Sequence, residues 1–199
     1  MQEYLIKVVI LGDKSVGKST LLKNYHENEK NVEATIGVDF IMKKLQLKRK
    51  ELKFHIWDTS GNTTFLNIIK TYLKGCNAGI IVFRLDDFNS FLNIDFWISE
   101  FFKEGGKKPL IFVGTHADKI KQIMIEAINE KCNFYGAEYF EISNLVIHDI
   151  DNILVKIGDK VLKENLEVDK SPPFLTNNMD YVLFEETEDN SLCKRCNIL

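Results

Sequence analysis

Hydrophobic residues along this chain come in short continuous runs, separated by longer segments with helical spacing. The runs Leu5–Leu11, Ala78–Leu85 and Leu110–Gly114 are rich in β-branched and aliphatic residues, and they predict strands buried on both faces of a sheet. Phe88–Phe102 instead places its large apolar residues three and four positions apart, which predicts an amphipathic helix. The pattern therefore alternates strand and helix.

The other segments complete this alternation. Val38–Leu47 and Leu52–Trp57 alternate apolar and polar residues around a charged turn, so they predict a β-hairpin. Three more helices and a last strand are predicted, and their ranges are Ser19–Asn28, Lys119–Phe134, Ile147–Glu167 and, for the strand, Ala137–Ser143. Together these elements predict an α/β fold, in which a mainly parallel sheet has helices on both faces and one antiparallel strand.

Length and charge indicate one domain followed by a tail. Of the 199 residues, we assign 1–167 to the domain and 168–199 to a polar, flexible tail, which contains Pro172 and Pro173 near its start. From Val168 onward six acidic and three basic residues account for the net charge of −3, so the body is near neutral and nothing points to nucleic acid. The opening apolar run is too short to span a membrane and lacks a signal-peptide pattern, which predicts a cytosolic protein.

A phosphate-binding loop is the strongest chemical signal. Gly12–Thr20, GDKSVGKST, matches G-x-x-x-x-G-K-[ST] between a predicted strand and a predicted helix. Its glycines let backbone N–H groups turn towards phosphate oxygens, Lys18 can reach the terminal phosphates and Ser19 can bind Mg²⁺. The motif predicts a nucleoside triphosphate without naming the base. All residues of the loop are candidate nucleotide ligands: Gly12, Asp13, Lys14, Ser15, Val16, Gly17, Lys18, Ser19 and Thr20.

An aspartate after a later strand identifies the base. Asp118 ends the segment Thr115–Asp118, which directly follows the run LIFVG. Its carboxylate can accept hydrogen bonds from N1–H and the exocyclic amine of guanine. Adenine offers no such pair of donors, so we expect the site to reject adenine nucleotides.

These motifs occur in the order and spacing of the Ras-superfamily small GTPases, together with the segments WDTSG (Trp57–Gly61) and EISN (Glu141–Asn144). TIGVDF (Thr35–Phe40) closely resembles the segment that marks the Rab branch, and Tyr72–Cys76 is similar to that branch's YYRGA stretch. The resemblance covers residues 4–165 and the end of the tail. It implies a P-loop NTPase small G domain with a six-stranded, mostly parallel sheet that contains one antiparallel strand.

The resemblance also implies ligands and roles. GTP or GDP would bind with Mg²⁺, and the metal would be held by Ser19, Thr35 and Asp58. Thr35 and the Gly61 N–H would sense the γ-phosphate in the two switch segments. The catalytic set implied is Lys18, Thr35 and Asn62. The residues implied around the base are Thr115, His116, Asp118, Ser143 and Asn144.

Hydrolysis is predicted to be weak, because the sequence departs from the family at the catalytic positions. Asn62 stands where relatives have a glutamine that orients the attacking water, and its side chain is shorter by about 1.5 Å. A misplacement of ~1 Å can cost on the order of 10²-fold in rate. Lys14 occupies a normally small position, and Thr63 replaces a glutamate. Rab-type activating proteins insert an arginine and a glutamine, so hydrolysis is expected to depend on such a partner.

The base motifs are altered as well. Thr115 replaces an asparagine, as in the Rho branch, and His116 replaces a lysine whose stem covers the base. The imidazole could stack on the base or merely pack beside it. Ser143, Asn144 and Leu145 replace serine, alanine and lysine, so a lysine contact is lost. We expect guanine selectivity with weakened affinity.

The chain ends with a predicted lipid-attachment signal. Cys196 and the three residues after it fit C-a-a-X, and terminal leucine favours geranylgeranyl. Because one lipid gives marginal membrane residence, Cys193 is the expected second site. A C-x-x-C metal or redox pair and an unmodified tail are the alternatives. The apolar Val182–Phe184 is either a docking segment for an escort or prenylation factor, or part of a disordered spacer.

The leading functional hypothesis is a Rab-like, GTP/GDP-regulated switch in vesicular traffic, on the cytosolic face of an endomembrane. Its expected partners are an exchange factor, an activating protein and effectors at the two switch segments, with a prenyl transferase, an escort or GDI-type protein and the membrane at the tail. The alternative is a hydrolysis-deficient, GTP-bound scaffold, which Asn62 and Lys14 favour. An ATPase or nucleotide kinase would need an adenine pocket or a lid, for which the sequence offers no signal.

Overall fold

The computed structural model describes residues 2–22, 37–143, 149–164 and 182–184. Its strands are β1 (Gln2–Leu11), β2 (Val38–Leu47), β3 (Lys50–Thr59), β4 (Ala78–Arg84), β5 (Leu110–Thr115), β6 (Glu138–Glu141) and β7 (Val182–Phe184). Its helices are α1 (Lys18–Leu21), α2 (Leu66–Leu73), α3 (Phe88–Leu92), α4 (Ile94–Gly105), α5 (Ile125–Tyr135) and α6 (Asp149–Lys163). A 3₁₀ turn, Thr63–Phe65, precedes α2.

These strands form a sheet in the order β6-β5-β4-β1-β3-β2-β7. Neighbouring strands from β6 to β3 are parallel, and β2 is antiparallel to β3. The predicted six-stranded, mostly parallel sheet with one antiparallel strand is thereby confirmed. The seventh strand, β7, comes from the tail region, pairs parallel to β2 and was not predicted from the sequence.

Each face of the sheet is covered by its own apolar core. Successive residues of β1 alternate between the two: Ile6, Val8 and Ile10 pack in the cluster that includes α6, whereas Val9 and Leu11 pack in the cluster that includes α2 to α5. β4 is buried on both faces over its first six residues, which explains its continuous apolar sequence. The prediction of helices on both faces is confirmed.

The helix predicted to start at Lys119 starts instead at Ile125, so this boundary was wrong. Ile120 is 91% exposed and Met124 is 72% exposed, so these two apolar residues before α5 have no core to pack against, whereas Ile123 between them is buried. The Gln122 N–H donates to the Leu85 carbonyl oxygen at 2.8 Å, and this bond holds the segment in a non-helical path.

Two other predicted helices differ in extent. The predicted helix over residues 88–102 is divided at Asn93 into α3 and α4, although the Trp97 N–H still donates to the Asn93 carbonyl oxygen at 3.2 Å. Of the predicted helix over residues 19–28, only the part up to Leu22 is described. The predicted boundary at residues 167–168 lies outside the described residues. Among the described residues no helix has the length and apolar character needed to cross a membrane.

Candidate nucleotide-binding site

The predicted motifs meet at one edge of the sheet, beyond the carboxyl ends of four neighbouring strands. The phosphate loop follows β1, Asp58 lies near the end of β3, and Thr115 ends β5 next to β4. Ligands of open α/β sheets bind at this edge, because the loops that follow parallel strands converge there. Segments far apart in the sequence therefore form one candidate site.

The loop between β1 and α1 has a backbone that only certain residues accept. Gly12 has φ +146°, and a Cβ on it would lie 2.1 Å from the Val82 carbonyl oxygen, so β4 leaves no room for a side chain there. Gly17 has φ +97°, which also favours glycine. Ser15 has φ 62°, an uncommon conformation for a residue with a side chain. The loop is thus strained at a place where function explains strain.

Lys18 reaches back across the loop. Its side chain is 5% exposed, and its Nζ donates to the carbonyl oxygens of Gly12 at 2.9 Å and Asp13 at 2.7 Å. Burial lowers the pKa of Lys18 to about 8, against the raising effect of the Asp58 and Asp13 carboxylates. The ammonium group is held against the loop carbonyls, where an anionic ligand would favour its charged form.

Ser19 and Asp58 form the candidate metal position. The Ser19 hydroxyl donates to Asp58 Oδ2, and Asp58 is 1% exposed. One hydroxyl and one buried carboxylate suit Mg²⁺, which prefers oxygen ligands and takes several of them from phosphate and water. The described residues contain no group of three or more His, Cys, Asp or Glu side chains that could hold a metal without a ligand's help. Thr35, the third predicted ligand, lies outside the described residues.

The predicted base motif is joined to the phosphate loop through Thr115. Its hydroxyl oxygen lies 2.7 Å from the Val16 carbonyl oxygen and 3.1 Å from that of Phe83, and both carbonyls can accept its proton. The hydroxyl also lies 2.9 Å from His116 Nδ1. Because Thr115 is 3% exposed, this tie between β5, β4 and the loop is buried. A threonine at this position can thus connect the two halves of the site.

Asp118 lies at the open side of the same motif. It is exposed, and Ser143 Oγ donates to its Oδ1 at a long 3.4 Å. His116 adopts φ 59°, and burial lowers its pKa, with the Arg84 guanidinium acting in the same direction. A neutral imidazole therefore accompanies the Asp118 carboxylate at neutral pH. Asn144, predicted beside the base, lies outside the described residues.

Asn62 lies in the predicted second switch segment, but its side chain has a local task. Its Oδ1 accepts a hydrogen bond from the Thr64 N–H at 3.0 Å and so caps the 3₁₀ turn. The preceding Gly61 packs directly against the phosphate loop, since a Cβ on it would lie 2.2 Å from the Lys14 nitrogen. Gly61 therefore lies directly beside the phosphate loop, and its contact with a γ-phosphate stays a prediction. The Asn62 amide oxygen is thus engaged by the backbone N–H of Thr64. Lys14, on the phosphate loop, is exposed.

Two residues that contact this site, Asn93 and Trp97, were missed by the sequence analysis. Asp13 Oδ1 accepts from Trp97 Nε1 at 2.7 Å, and its Oδ2 accepts from Asn93 Nδ2 at 2.7 Å. The sequence placed Trp97 only in the apolar face of a helix. A usable signal was present, because a buried indole N–H needs a hydrogen-bond partner. Nothing in the sequence indicated that this partner is a residue of the phosphate loop.

The fold and the site define a P-loop nucleotide-binding domain, in which a strained loop with a buried lysine is hydrogen-bonded to a second motif that ends at Asp118. Comparison with known proteins names the family. The Ras family profile matches residues 7–163, so this chain belongs to the Ras family. Members of that family are small GTPases that bind GTP and GDP, typically with Mg²⁺.

Individual relatives carry Ras-related and Rab names. The chain is 34% identical over 155 residues to Ras-related protein Rab-11B of Dictyostelium discoideum, covering 76% of this chain and 70% of the relative. It is 28% identical over 197 residues to Ras-related protein YPTC6 of Chlamydomonas reinhardtii, covering 94% and 91%. Ras-related protein RABA5c of Arabidopsis thaliana is 28% identical over 204 residues, covering 98% and 95%. The predicted resemblance to the Rab-like small GTPases is confirmed.

Proposed function

We propose that this protein is a guanine-nucleotide switch of membrane traffic whose own hydrolysis of GTP is slow. The observation that carries the proposal is the buried hydrogen bond between Thr115 and the Val16 carbonyl oxygen, at 2.7 Å. It joins the proposed guanine-binding motif to the phosphate loop, which supports the proposal that one ligand contacts Lys18 with its phosphates and Asp118 with its base. A nucleoside polyphosphate has the required two ends.

Calorimetry on the full chain tests the choice of base. With Mg²⁺ present, GDP and GTP should bind at least 100-fold more tightly than ATP, because only guanine offers two donors to one carboxylate. The matched control is Asp118→Asn, which keeps the size of the side chain and removes its charge. That variant should lose most of the preference for guanine. Equal affinity of the wild type for ATP and GTP would refute guanine recognition.

Slow hydrolysis is supported by the position of Asn62. Its amide oxygen accepts from the Thr64 N–H, and its stem is one C–C bond shorter than that of glutamine, so this amide is poorly placed to orient a water towards a γ-phosphate. We propose that an activating protein supplies the missing groups. The test is single-turnover hydrolysis of bound GTP, alone and with a panel of activating domains. Acceleration by at least one domain supports a switch.

An aromatic row supports binding of partners next to the switch segments. The ring centroids of Phe40 and Trp57 lie 4.5 Å apart, and those of Trp57 and Tyr72 lie 4.7 Å apart. Phe40 is 39% exposed on β2, which begins directly after the first switch segment. Aromatic side chains that remain accessible are typical binding anchors. We assign effector and regulator binding to this row.

Attachment to an endomembrane is proposed from the tail sequence. Cys196 with its C-a-a-X ending and Cys193 lie outside the described residues, so the support is the sequence pattern together with the Rab-named relatives. Mass spectrometry of protein from a eukaryotic host should show a prenyl group on Cys196. A chain with an unmodified Cys196 would contradict the proposed anchor.

The second candidate is a GTP-bound scaffold that scarcely hydrolyses its ligand, and the engaged Asn62 amide favours it. Nucleotide extracted from freshly purified protein separates the two functions. A mixture of GDP and GTP that exchanges with added nucleotide supports the switch. GTP that persists even with activating domains supports the scaffold.

A further inference from the structure

The outer edge of β2 is covered by a short strand from the acidic tail. Val182–Phe184 forms β7 and lies parallel to β2, with its three residues opposite Leu45, Gln46 and Leu47. A sheet edge presents N–H and C=O groups that any extended peptide can join, so natural proteins protect such edges. Here a piece of the same chain occupies the edge.

We propose that the outer edge of β2 is a strand-addition site whose built-in occupant is the tail segment Val182–Phe184. While β7 is in place, no partner can add an extended peptide to residues 45–47, so the tail and a partner's strand exclude each other at this edge. The proposal goes beyond nucleotide switching, because it concerns backbone pairing at the opposite end of β2 from the first switch segment.

The amino-acid pattern of the two strands fits this pairing. Val182 and Phe184 are β-prone residue types in a polar part of the tail. Residues opposite each other in neighbouring strands share a face of the sheet, so positions 182 and 184 take the register of Leu45 and Leu47. Both leucines are buried in the core cluster that includes α6. The register of β7 therefore pairs two β-prone positions with two leucines of β2.

Charge supports the same register. The residues that follow Phe184 are Glu185 and Glu186, and the turn that follows Leu47 contains Lys48 and Arg49. Because the two strands are parallel, the paired segment is followed by acidic residues on one strand and by basic residues on the other. Opposite charges on neighbouring strands stabilise a pairing, whereas like charges destabilise it.

The connection to β7 is long enough. Val182 follows Glu164, the last described residue after α6, by 18 residues, which span at most about 60 Å when extended. α6 already lies beside β2, since Lys43 on β2 and Asp151 on α6 form an ion pair at 3.8 Å. Further along α6, a Cβ on Gly158 would lie 3.8 Å from Leu47 Cδ2, so this helix also packs beside the paired end of β2.

Cross-linking tests the register. In a full-length protein with Cys193→Ser and Cys196→Ser, we would compare Gln46→Cys/Leu183→Cys with the control Gln46→Cys/Asn178→Cys. Opposite residues of neighbouring strands have Cα atoms about 5 Å apart, within disulfide range. The cysteines of the described part of the chain are buried. We expect the first pair to cross-link at least tenfold faster under mild oxidation; equal rates would overturn the proposal.

Hydrogen exchange tests the backbone pairing without new cysteines. Leu183→Pro removes an N–H from β7 and cannot fit a paired strand, whereas Asn178→Pro makes the same change outside β7. Exchange in a peptide that covers residues 45–47 should become at least threefold faster in Leu183→Pro and stay unchanged in Asn178→Pro. No difference between the variants would contradict the pairing. Neither readout depends on nucleotide, so failure here would leave the proposed function standing, and the reverse also holds.

Discussion

The indole N–H of Trp97 donates to Asp13 Oδ1 at 2.7 Å and thereby joins helix α4 to the phosphate loop. Trp97 is 1% exposed, so its position is fixed by the core. Asp13 also supplies, through its carbonyl oxygen, one of the two acceptors of the Lys18 ammonium group. The apolar core is therefore coupled through Asp13 to the Lys18 ammonium group, which is predicted to bind the phosphates.

Removing the indole N–H of Trp97 should make the bound nucleotide dissociate faster. Trp97→Phe keeps an aromatic ring but removes the N–H, and a hydrogen bond to a charged group contributes about 1.5–3 kcal/mol. We expect GDP to dissociate about tenfold faster, as measured with a fluorescent GDP analogue in stopped flow. Trp57→Phe is the matched control, because the same change in the aromatic row leaves the loop untouched. Equal dissociation rates in the two variants would contradict the coupling.

Lengthening the Asn62 side chain should increase hydrolysis. Asn62→Gln places the amide about 1.5 Å further out, and we expect intrinsic single-turnover hydrolysis to rise about tenfold to a hundredfold. Asn62→Ser is the control, because serine can still accept the cap hydrogen bond from the Thr64 N–H and has no amide. It should hydrolyse GTP at the wild-type rate.

Either result could go against this explanation of slow hydrolysis. A clearly slower Asn62→Ser would show that the native amide takes part in the reaction despite its hydrogen bond to the backbone. An unchanged Asn62→Gln would show that the reach of the side chain does not limit the rate.

The Thr115 hydroxyl should contribute both to the stability of the fold and to the affinity for GDP. Thr115→Val keeps the shape and removes the donor to the Val16 carbonyl oxygen, which should lower the free energy of unfolding by about 1–3 kcal/mol. GDP affinity should fall as well, because the base motif loses its tie to the loop. Thr115→Ser retains the hydroxyl and should stay close to the wild type in both measurements, denaturant unfolding and calorimetry. A valine variant that matches the serine variant would contradict this role.

Binding of GDP should take up protons in alkaline solution. Burial lowers the pKa of Lys18 in the free protein to about 8, so this lysine is increasingly neutral as the pH rises above that value. Bound phosphates favour the charged form and raise the pKa again. Affinity should therefore fall as pH rises through 8 to 9. Calorimetry at pH 8.5 in two buffers of different ionisation enthalpy should show proton uptake on GDP binding. The uptake should be smaller at pH 7. Binding heats that do not depend on the buffer at pH 8.5 would refute this prediction.

Much of the fold and of the phosphate site could be predicted because their signals are local. The loop between β1 and α1 requires glycine at Gly12 and Gly17, and the lysine and hydroxyl must follow directly, so nine consecutive residues carry the whole motif. Buried strands such as β4 must be apolar along their length, so the strands of the sheet could be predicted from the sequence. The late start of α5 could not be predicted, because Ile120 and Met124 fit a helical pattern but have no core to pack against.

What the sequence determined by itself was the set of groups available: a phosphate loop, an aspartate predicted to bind guanine and an asparagine at the predicted catalytic position. Tertiary structure alone decided which of them meet. Trp97 reaches Asp13 across 84 positions, Thr115 reaches the Val16 carbonyl across 99, and β7 finds the edge of β2 from the tail. The physical reason is that local patterns report what each backbone segment can tolerate, whereas a hydrogen bond between distant segments exists only once the packed core has brought the two together.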